Sequence, residues 1–415
     1  MKFKLKCVTC GREIKSDPKA LTCPVCGDFK GTLDVLYPYD KLKRGFSGGF
    51  DDLKNQSVYE AFLDIMPYSD ISNLPPVPVG STPLFTSPSL ANILGMNKLY
   101  LKDDARNPSG SLKDRASAVA IAMAKEAGVT TTAAASTGNA ASSLATLAAS
   151  ADMRAILFVP KTIPRPKLSQ LLIHGANVLC LDCSYDRAFE LCQEACIKFG
   201  WYNRNTAVNP FTGEGKKTAA LEIGVGLGKA PEAVVCPVGD GCILSGLYKG
   251  FFDLQKLGLI ENIPRLYGVQ ASGSAPVVKA FKDNVEISPL EDARTIADSI
   301  SVGYPRDGVK ALRAVRESRG GMVAVDDSEI LEAQKLLASR AGIFAEPASS
   351  AGIAGLIKLN EQKYFQADET VVALLTGHGL KDIETVMNNI RADIEVIKPD
   401  IDSITSKLTR DNVIS

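Results

Sequence analysis

From Lys98 to the neighbourhood of Asn389, short apolar runs alternate with segments of helical period, and that alternation leaves few folds open. Strands are read at Lys98–Lys102, Thr132–Ala135, Ala155–Val159, Val178–Leu181, Ala233–Cys236, Leu266–Val269 and Thr370–Leu375. Helices are read over 112–127, Asn139–Ser150, Lys167–Ile173, Tyr185–Phe199, Glu214–Leu227, Ile243–Leu257, Val309–Glu317 and Asp327–Ala341, with a last one near Lys381–Asn389. Parallel neighbours need a crossover, usually a helix, so the pattern predicts an α/β fold with a parallel sheet covered by helices. Loops that carry chemistry are then expected at the carboxyl ends of strands. A chain of 415 residues has room for two domains and an appendage. Residues Tyr39 to Pro78 carry few periodic signals and close on the rigid run Leu74-Pro-Pro-Val-Pro78, read as a boundary.

Charge narrows the function. The 47 basic residues are balanced by 47 acidic ones, which leaves no electrostatic footprint for nucleic acid or a membrane surface. No apolar run approaches a bilayer span, and MKFKLKCVTC lacks the apolar core of a signal peptide, so a cytoplasmic protein is expected. Only two histidines occur, His174 and His378, too few for a histidine-rich metal centre and a poor basis for a catalytic triad. Chemistry here must rest on lysine, hydroxyls, backbone dipoles or a bound organic cofactor.

Four cysteines do have ligand spacing. Cys7 and Cys10, then Cys23 and Cys26, form two CxxC knuckles twelve residues apart, the arrangement that completes a tetrahedral Zn2+ site. All four positions are filled by protein, so a structural zinc ribbon is expected. Cys180 and Cys183 are read on or beside a buried strand, and Cys192 and Cys196 on one helix face, as packing residues.

Asn107 to Arg115, NPSGSLKDR, passes from turn formers into a helical pattern, with Ser111 read as N-cap and Lys113 in the first turn. The positive end of the helix dipole disfavours a cation there and pushes the lysine toward the neutral amine that attacks carbonyls. Three further strand-to-helix junctions stand out. Ala135-Ser-Thr-Gly-Asn-Ala140 offers hydroxyls and free amides suited to a carboxylate. Pro237-Val-Gly-Asp-Gly-Cys242 has glycines able to close amides around a phosphate, without the GxGxxG spacing of a dinucleotide site or a Walker lysine. Leu375-Thr-Gly-His-Gly-Leu-Lys381 places the Thr376 hydroxyl at a strand end, where it is expected to be exposed. Together these suit a cofactor with an aldehyde, a phosphate and a ring nitrogen: pyridoxal 5'-phosphate.

The motifs NPSGSLKDR, STGNA, VNPFTGEGKKTAALEI, EPASSAGIAGL and LLTGHGLKD, in that order from about Gly80 to Ile390, resemble those of the threonine synthases. These are tryptophan-synthase-β-like, fold type II enzymes. The resemblance implies a two-domain pyridoxal-phosphate fold with an N-terminal zinc-ribbon-like appendage. Its expected boundaries are 1–40 for the appendage, 41–105 and 204–395 for a large domain, 106–203 for a small mobile domain and 396–415 for a tail. It implies Lys113 as the Schiff-base lysine and proton carrier, Asn139 beside the cofactor's ring hydroxyl and Thr376 facing the pyridine nitrogen. It also implies Ser136 and Thr137 at the substrate carboxylate, and Gly239, Asp240, Gly241, Cys242 and Ile243 as the phosphate cradle.

The implied reaction converts O-phosphohomoserine and water into threonine and phosphate, by γ-elimination followed by addition of water at Cβ. The implied partners are a small amino-acid phosphate ester and a second copy of the chain in a homodimer.

Two departures bear on substrate. The family's cradle is an Asn-rich GNxGN, whereas Asp240 stands here, tolerable if it points away or caps the next helix. After Asn209 the family carries an arginine for the substrate phosphate, but this chain has Thr212, leaving Lys216, Arg165 and Lys167 as candidates. The alternative is therefore a β-replacement enzyme acting on O-phosphoserine, cysteate-synthase-like, or a serine/threonine deaminase. A nucleic-acid-binding zinc-ribbon protein and a nicotinamide oxidoreductase fit less well, lacking a basic patch and a dinucleotide fingerprint respectively.

Overall fold

The computed structural model describes residues 2–161, 163, 165–389, 394–411 and 413. In chain order the strands are β1 (Lys4–Cys7), β2 (Glu13–Lys15), β3 (Leu33–Leu36), β4 (Leu84–Thr86), β5 (Lys98–Asp103), β6 (Thr131–Ala135) and β7 (Arg154–Pro160). They continue with β8 (Asn177–Leu181), β9 (Tyr202–Asn203), β10 (Ala233–Pro237), β11 (Arg265–Ala271), β12 (Gly321–Val325) and β13 (Thr370–Leu375). Among the described residues they form three sheets: β2-β1-β3, β8-β7-β6-β9 and β12-β11-β10-β13-β5-β4.

The first sheet is antiparallel, the second wholly parallel, and the third parallel except for β4 at its edge. In the large sheet the chain runs outward from β10 to β11 and β12, then returns to β13 on the other side of β10. The carboxyl ends of β10 and β13 thus flank a switch point, where diverging loops open a crevice. Both strands are buried throughout, as a strand covered on two faces must be.

The helix Pro347–Glu361 lies on this sheet so closely that a Cβ on Gly355 would fall 2.2 Å from a Val269 methyl. It is buried at every position from Pro347 to Leu356, so its small residues carry no amphipathic period, which is why periodicity does not reveal it. β4, β9 and β12 also escape the sequence reading; the first two have three and two residues. The expected helix from Glu214 is instead two helices, Phe211–Lys216 and Thr218–Leu227, and Gly215 in the first packs against the Arg115 carbonyl, 2.0 Å from where its Cβ would lie. β8 is a largely exposed edge strand, not a buried one, and Cys180 is exposed; Cys192 and Cys196 are buried on one helix as expected. Residues 382–415 form a separate unit with helices Ile383–Asn389 and Ile401–Arg410. Among the described residues no helix is long and apolar enough to cross a membrane.

The helix Lys113–Glu126 is buried from Asp114 to Ala124. Arg115 on it is fully buried, and every guanidinium nitrogen is used. Nε and Nη2 grip Asp104 at 2.6 and 2.9 Å, Nη1 and Nη2 each reach Glu222 at 2.7 Å, and Thr218 and Thr82 accept at 2.9 and 3.0 Å. Lys102 on β5 adds a bond to Glu222. Two fork-like pairs on one planar group are possible for arginine and not for lysine.

The prediction is that Arg115→Leu, which strands two buried carboxylates, costs about 3–5 kcal/mol in denaturant unfolding. Burial would raise the Glu222 carboxyl, but Arg115 and Lys102 overcome this and hold it at about 2, against an ordinary 4.5. Its folded value is depressed, so its contribution is complete above about 4.5 and is lost as pH falls toward about 2. Acid unfolding should steepen in that window, and Glu222→Gln should flatten it.

Candidate active site

At the carboxyl ends of β6, β9 and β10 a cavity of about 990 Å3 opens, and Lys113 lines it. The lysine is the first residue of its helix, as the turn-to-helix pattern predicts. The cap differs: Leu112 holds the N-cap position, and Ser111 instead bridges to Gly377 in the loop after β13. Further bonds tie the two loops, Leu112 N–H to the Thr376 carbonyl at 2.9 Å and His378 N–H to Gly110 at 3.0 Å. Asp114 accepts from the Ser109 amide and hydroxyl, both at 2.6 Å. Burial, reinforced by Lys216 and Arg204 and opposed by Glu346, pushes the Lys113 amine down to about 8.

The loop after β6 contributes Ser136, Thr137, Gly138 and Asn139 to the same cavity. Asn139 opens the helix Asn139–Ser150, and its amide donates to both oxygens of Glu346 at 2.8 and 3.0 Å. Glu346 is buried at the start of the helix Pro347–Glu361 and fixes the face that the Asn139 side chain presents.

The loop after β10 brings Gly239, Asp240, Gly241, Cys242 and Ile243 to the cavity, at the start of the helix Cys242–Leu257. Gly241 has φ +94°, and a Cβ there would lie 2.8 Å from Ala311 and 2.9 Å from the Asp307 carbonyl. Only glycine fits. Among the described residues no side chain caps this helix, which leaves its first amides available to an anion. Asp240 does not act as cap. Its carboxylate accepts from the Arg306 amide at 3.3 Å, turned toward the 305–307 segment.

The other candidates separate. Lys216 lines the cavity, 1% exposed, with no hydrogen-bond partner for Nζ among the described residues. Lys167 also lines it and is paired with Asp298. Arg165 is exposed and outside the lining. Asn209 and Thr212 are buried, bonded to each other, and face a second cavity of about 480 Å3 beside β1 and β3. Thr376 is 6% exposed rather than open, with its N–H on Ser349 Oγ at 2.9 Å.

Sequence reading misses Arg204 and Glu346. Arg204 lines the cavity just past β9, a two-residue strand too short to announce itself. Glu346 has a visible signal, its place immediately before Pro347 at a helix start.

An amine driven toward neutrality and a glycine turn at an uncapped helix start form a donor set that fits an aldehyde bearing a phosphate. Residues 77–377 match the family model described as pyridoxal-phosphate dependent enzyme. The threonine synthase of Methanosarcina acetivorans is 39% identical over 409 residues, covering 97% of this chain and 98% of that one. The chain belongs to the threonine synthase family of pyridoxal-phosphate-dependent enzymes.

The threonine synthase of Methanocaldococcus jannaschii is 37% identical over 401 residues, 96% of each chain. Among solved structures, processed threonine deaminase isoform 2 from Solanum lycopersicum superposes with a TM-score of 0.65 at 23% identity, over 75% of this chain and 88% of that one. That likeness establishes the fold type II architecture. As a family member the chain is a pyridoxal-phosphate-dependent lyase.

Apart from the cavity, the sulfurs of Cys7, Cys10, Cys23 and Cys26 lie within 4.8 Å of one another. Cys7 to Cys26 and Cys10 to Cys23 both measure 3.8 Å. A tetrahedron with bonds of about 2.3 Å has edges of about 3.8 Å, so the cluster has the dimensions of a zinc site.

The Lys113 environment makes a prediction for the cofactor-free protein. Because its folded value is lowered, the reactive neutral amine should appear as pH rises through about 8 rather than 10.5. Competitive acylation read by peptide mass spectrometry should find Lys113 titrating there, ahead of the exposed lysines.

Proposed function

We propose that the protein is a threonine synthase converting O-phosphohomoserine and water into threonine and phosphate. The observation that carries this is 39% identity over nearly the full length to a threonine synthase, joined to Lys113 at the head of a buried helix facing a cavity lined by cations and a glycine turn. Bound pyridoxal phosphate supplies the electron sink for carbanion chemistry.

The chain's own groups take the remaining roles. Lys113 holds the cofactor's aldehyde and afterwards carries protons at Nζ between substrate carbons, work suited to an amine near 8. Asn139, steadied by Glu346, orients the ring. Gly239 to Ile243 offer main-chain amides to the cofactor's phosphate. Ser136 and Thr137, before the helix Asn139–Ser150, receive the substrate carboxylate. Thr376 is assigned to the ring nitrogen, since its main chain is bonded to Leu112 beside Lys113. A neutral hydroxyl there disfavours a protonated ring and steers chemistry toward elimination and replacement.

Residues 106–203 carry all four strands of the β8-β7-β6-β9 sheet, which supports reading them as the small mobile domain. The four cysteines are assigned to a structural Zn2+, and the chain to a cytoplasmic homodimer with 41–105 and 204–395 as its large domain.

Cofactor-loaded protein should absorb in the violet and release one phosphate per threonine formed from O-phosphohomoserine. Lys113→Ala should lose the band and lower turnover by about 10³-fold or more. Turnover of O-phosphoserine with sulfite, or ammonia release from serine or threonine, without threonine formation would support the β-replacement or deaminase reading instead. Metal analysis should give one zinc per chain. Cys7→Ser with Cys23→Ser should abolish zinc and lower thermal stability while the violet band persists.

A further inference from the structure

Five of the largest fully buried side chains are cations: Arg115, Arg204, Lys102, Lys216 and Lys217. Three of them are paired with carboxylates, Arg115 with Asp104 and Glu222, Lys102 with Glu222, and Lys217 with Glu214 and Asp253. The other two, Arg204 and Lys216, have no carboxylate partner among the described residues, and both line the active-site cavity. An unpaired buried charge costs several kcal/mol, so two of them facing one cavity mark a place where an anion is meant to sit.

Arg204 stands at the carboxyl end of β9, its N–H bonded to the Ala133 carbonyl at 2.8 Å. Among the described residues its side chain bonds only to neutral acceptors: Ser117 Oγ at 3.0 Å, the Lys113 carbonyl at 3.4 Å and Thr206 Oγ1 at 3.5 Å. Lys216 is held from behind by Gly246, where a Cβ would come within 2.7 Å of its own, and its Nζ has no hydrogen-bond partner. Of the acids whose charge acts on Lys216, Asp307 accepts from Ser245 and Asp240 from the Arg306 amide, and among the described residues neither is ion-paired with it. Burial pushes both cations down, Arg204 to about 10, and the charge of Arg204 lowers Lys216 further.

We propose that Arg204 and Lys216 together bind the phosphate of the substrate, and that this pair makes the enzyme prefer a phosphorylated amino acid over the free hydroxyl compound. This rests on the threonine synthase reading. The cofactor's own phosphate has the glycine turn and free helix amides of Gly239 to Ile243, so the two cations remain for a second one. A phosphate monoester carries close to two negative charges at neutral pH, which two cations balance, and a guanidinium fork matches its oxygens.

The test uses cofactor-loaded wild type, Arg204→Gln, Lys216→Met and Lys216→Arg, with inorganic phosphate as the probe in calorimetry and as inhibitor of turnover. Each neutral variant should bind phosphate at least about tenfold more weakly, as loss of a charge-assisted contact implies. KM for O-phosphohomoserine should rise in parallel, the cofactor dissociation constant should stay within about twofold, and Lys216→Arg should recover part of the loss. Lys216→Met should also melt no lower than wild type, because an unpaired buried charge has been removed.

Unchanged phosphate binding in both neutral variants overturns the proposal. So does a loss confined to cofactor affinity, which would give the cations to the cofactor's phosphate, or a marked drop in melting temperature. Wild type that binds phosphate through this pair yet forms no threonine would sink the threonine synthase reading and leave the anion site standing.

Discussion

Arg115 joins parts of the chain that are far apart in sequence: Thr82, Asp104 after β5, and Thr218 and Glu222 on the helix Thr218–Leu227. The bonds hold the helix Lys113–Glu126 against both the large sheet and the helix pair beyond it. Isolated surface ion pairs contribute little, but a fully desolvated fork with every donor satisfied cannot lose a partner without leaving a bare charge in the core. Lys113 lies two residues from this anchor, so the position of its amine is inherited from the network.

The same economy recurs around the cavity. The loop bearing Lys113 is bridged to the loop after β13, whose Gly377 carbonyl accepts from the Glu346 amide. Glu346 in turn holds Asn139 at the head of the next wall. Lysine, asparagine and the loop after β13 are thus linked by a short chain of hydrogen bonds. Opposite them Gly241 permits the Cys242–Leu257 helix to point free amides inward. At the N-terminus, Tyr37 and Tyr39 donate to Glu214 and Asp253, so β3 and its following turn are tied to the body through buried acids.

Much of this was legible beforehand because it depends on local rules. Strands such as Ala233–Pro237 and Thr370–Leu375 announce themselves as apolar runs, and the glycine turns after them follow from backbone sterics. Lys113 in a first helical turn needed only the change from turn formers to helical period. The buried helix Pro347–Glu361 was hidden for the opposite reason, since burial on every side erases the periodicity that marks a half-exposed helix. Thr212 and Lys216 sit four residues apart, yet one faces the cavity beside β1 and the other the lysine.

The sequence by itself determined the α/β alternation, the paired CxxC spacing, and the residue types at the turns that a phosphate-bearing cofactor needs. Each follows from interactions between residues close in the chain. Only the tertiary structure decided which charges are neutralised. Arg115 and Arg204 read alike in sequence, yet one is enclosed by two carboxylates and the other by neutral oxygens facing a cavity. Pairing of buried charge is set by contacts between distant segments, which is why Lys216 was a candidate in the sequence while Arg204 emerged only from the fold.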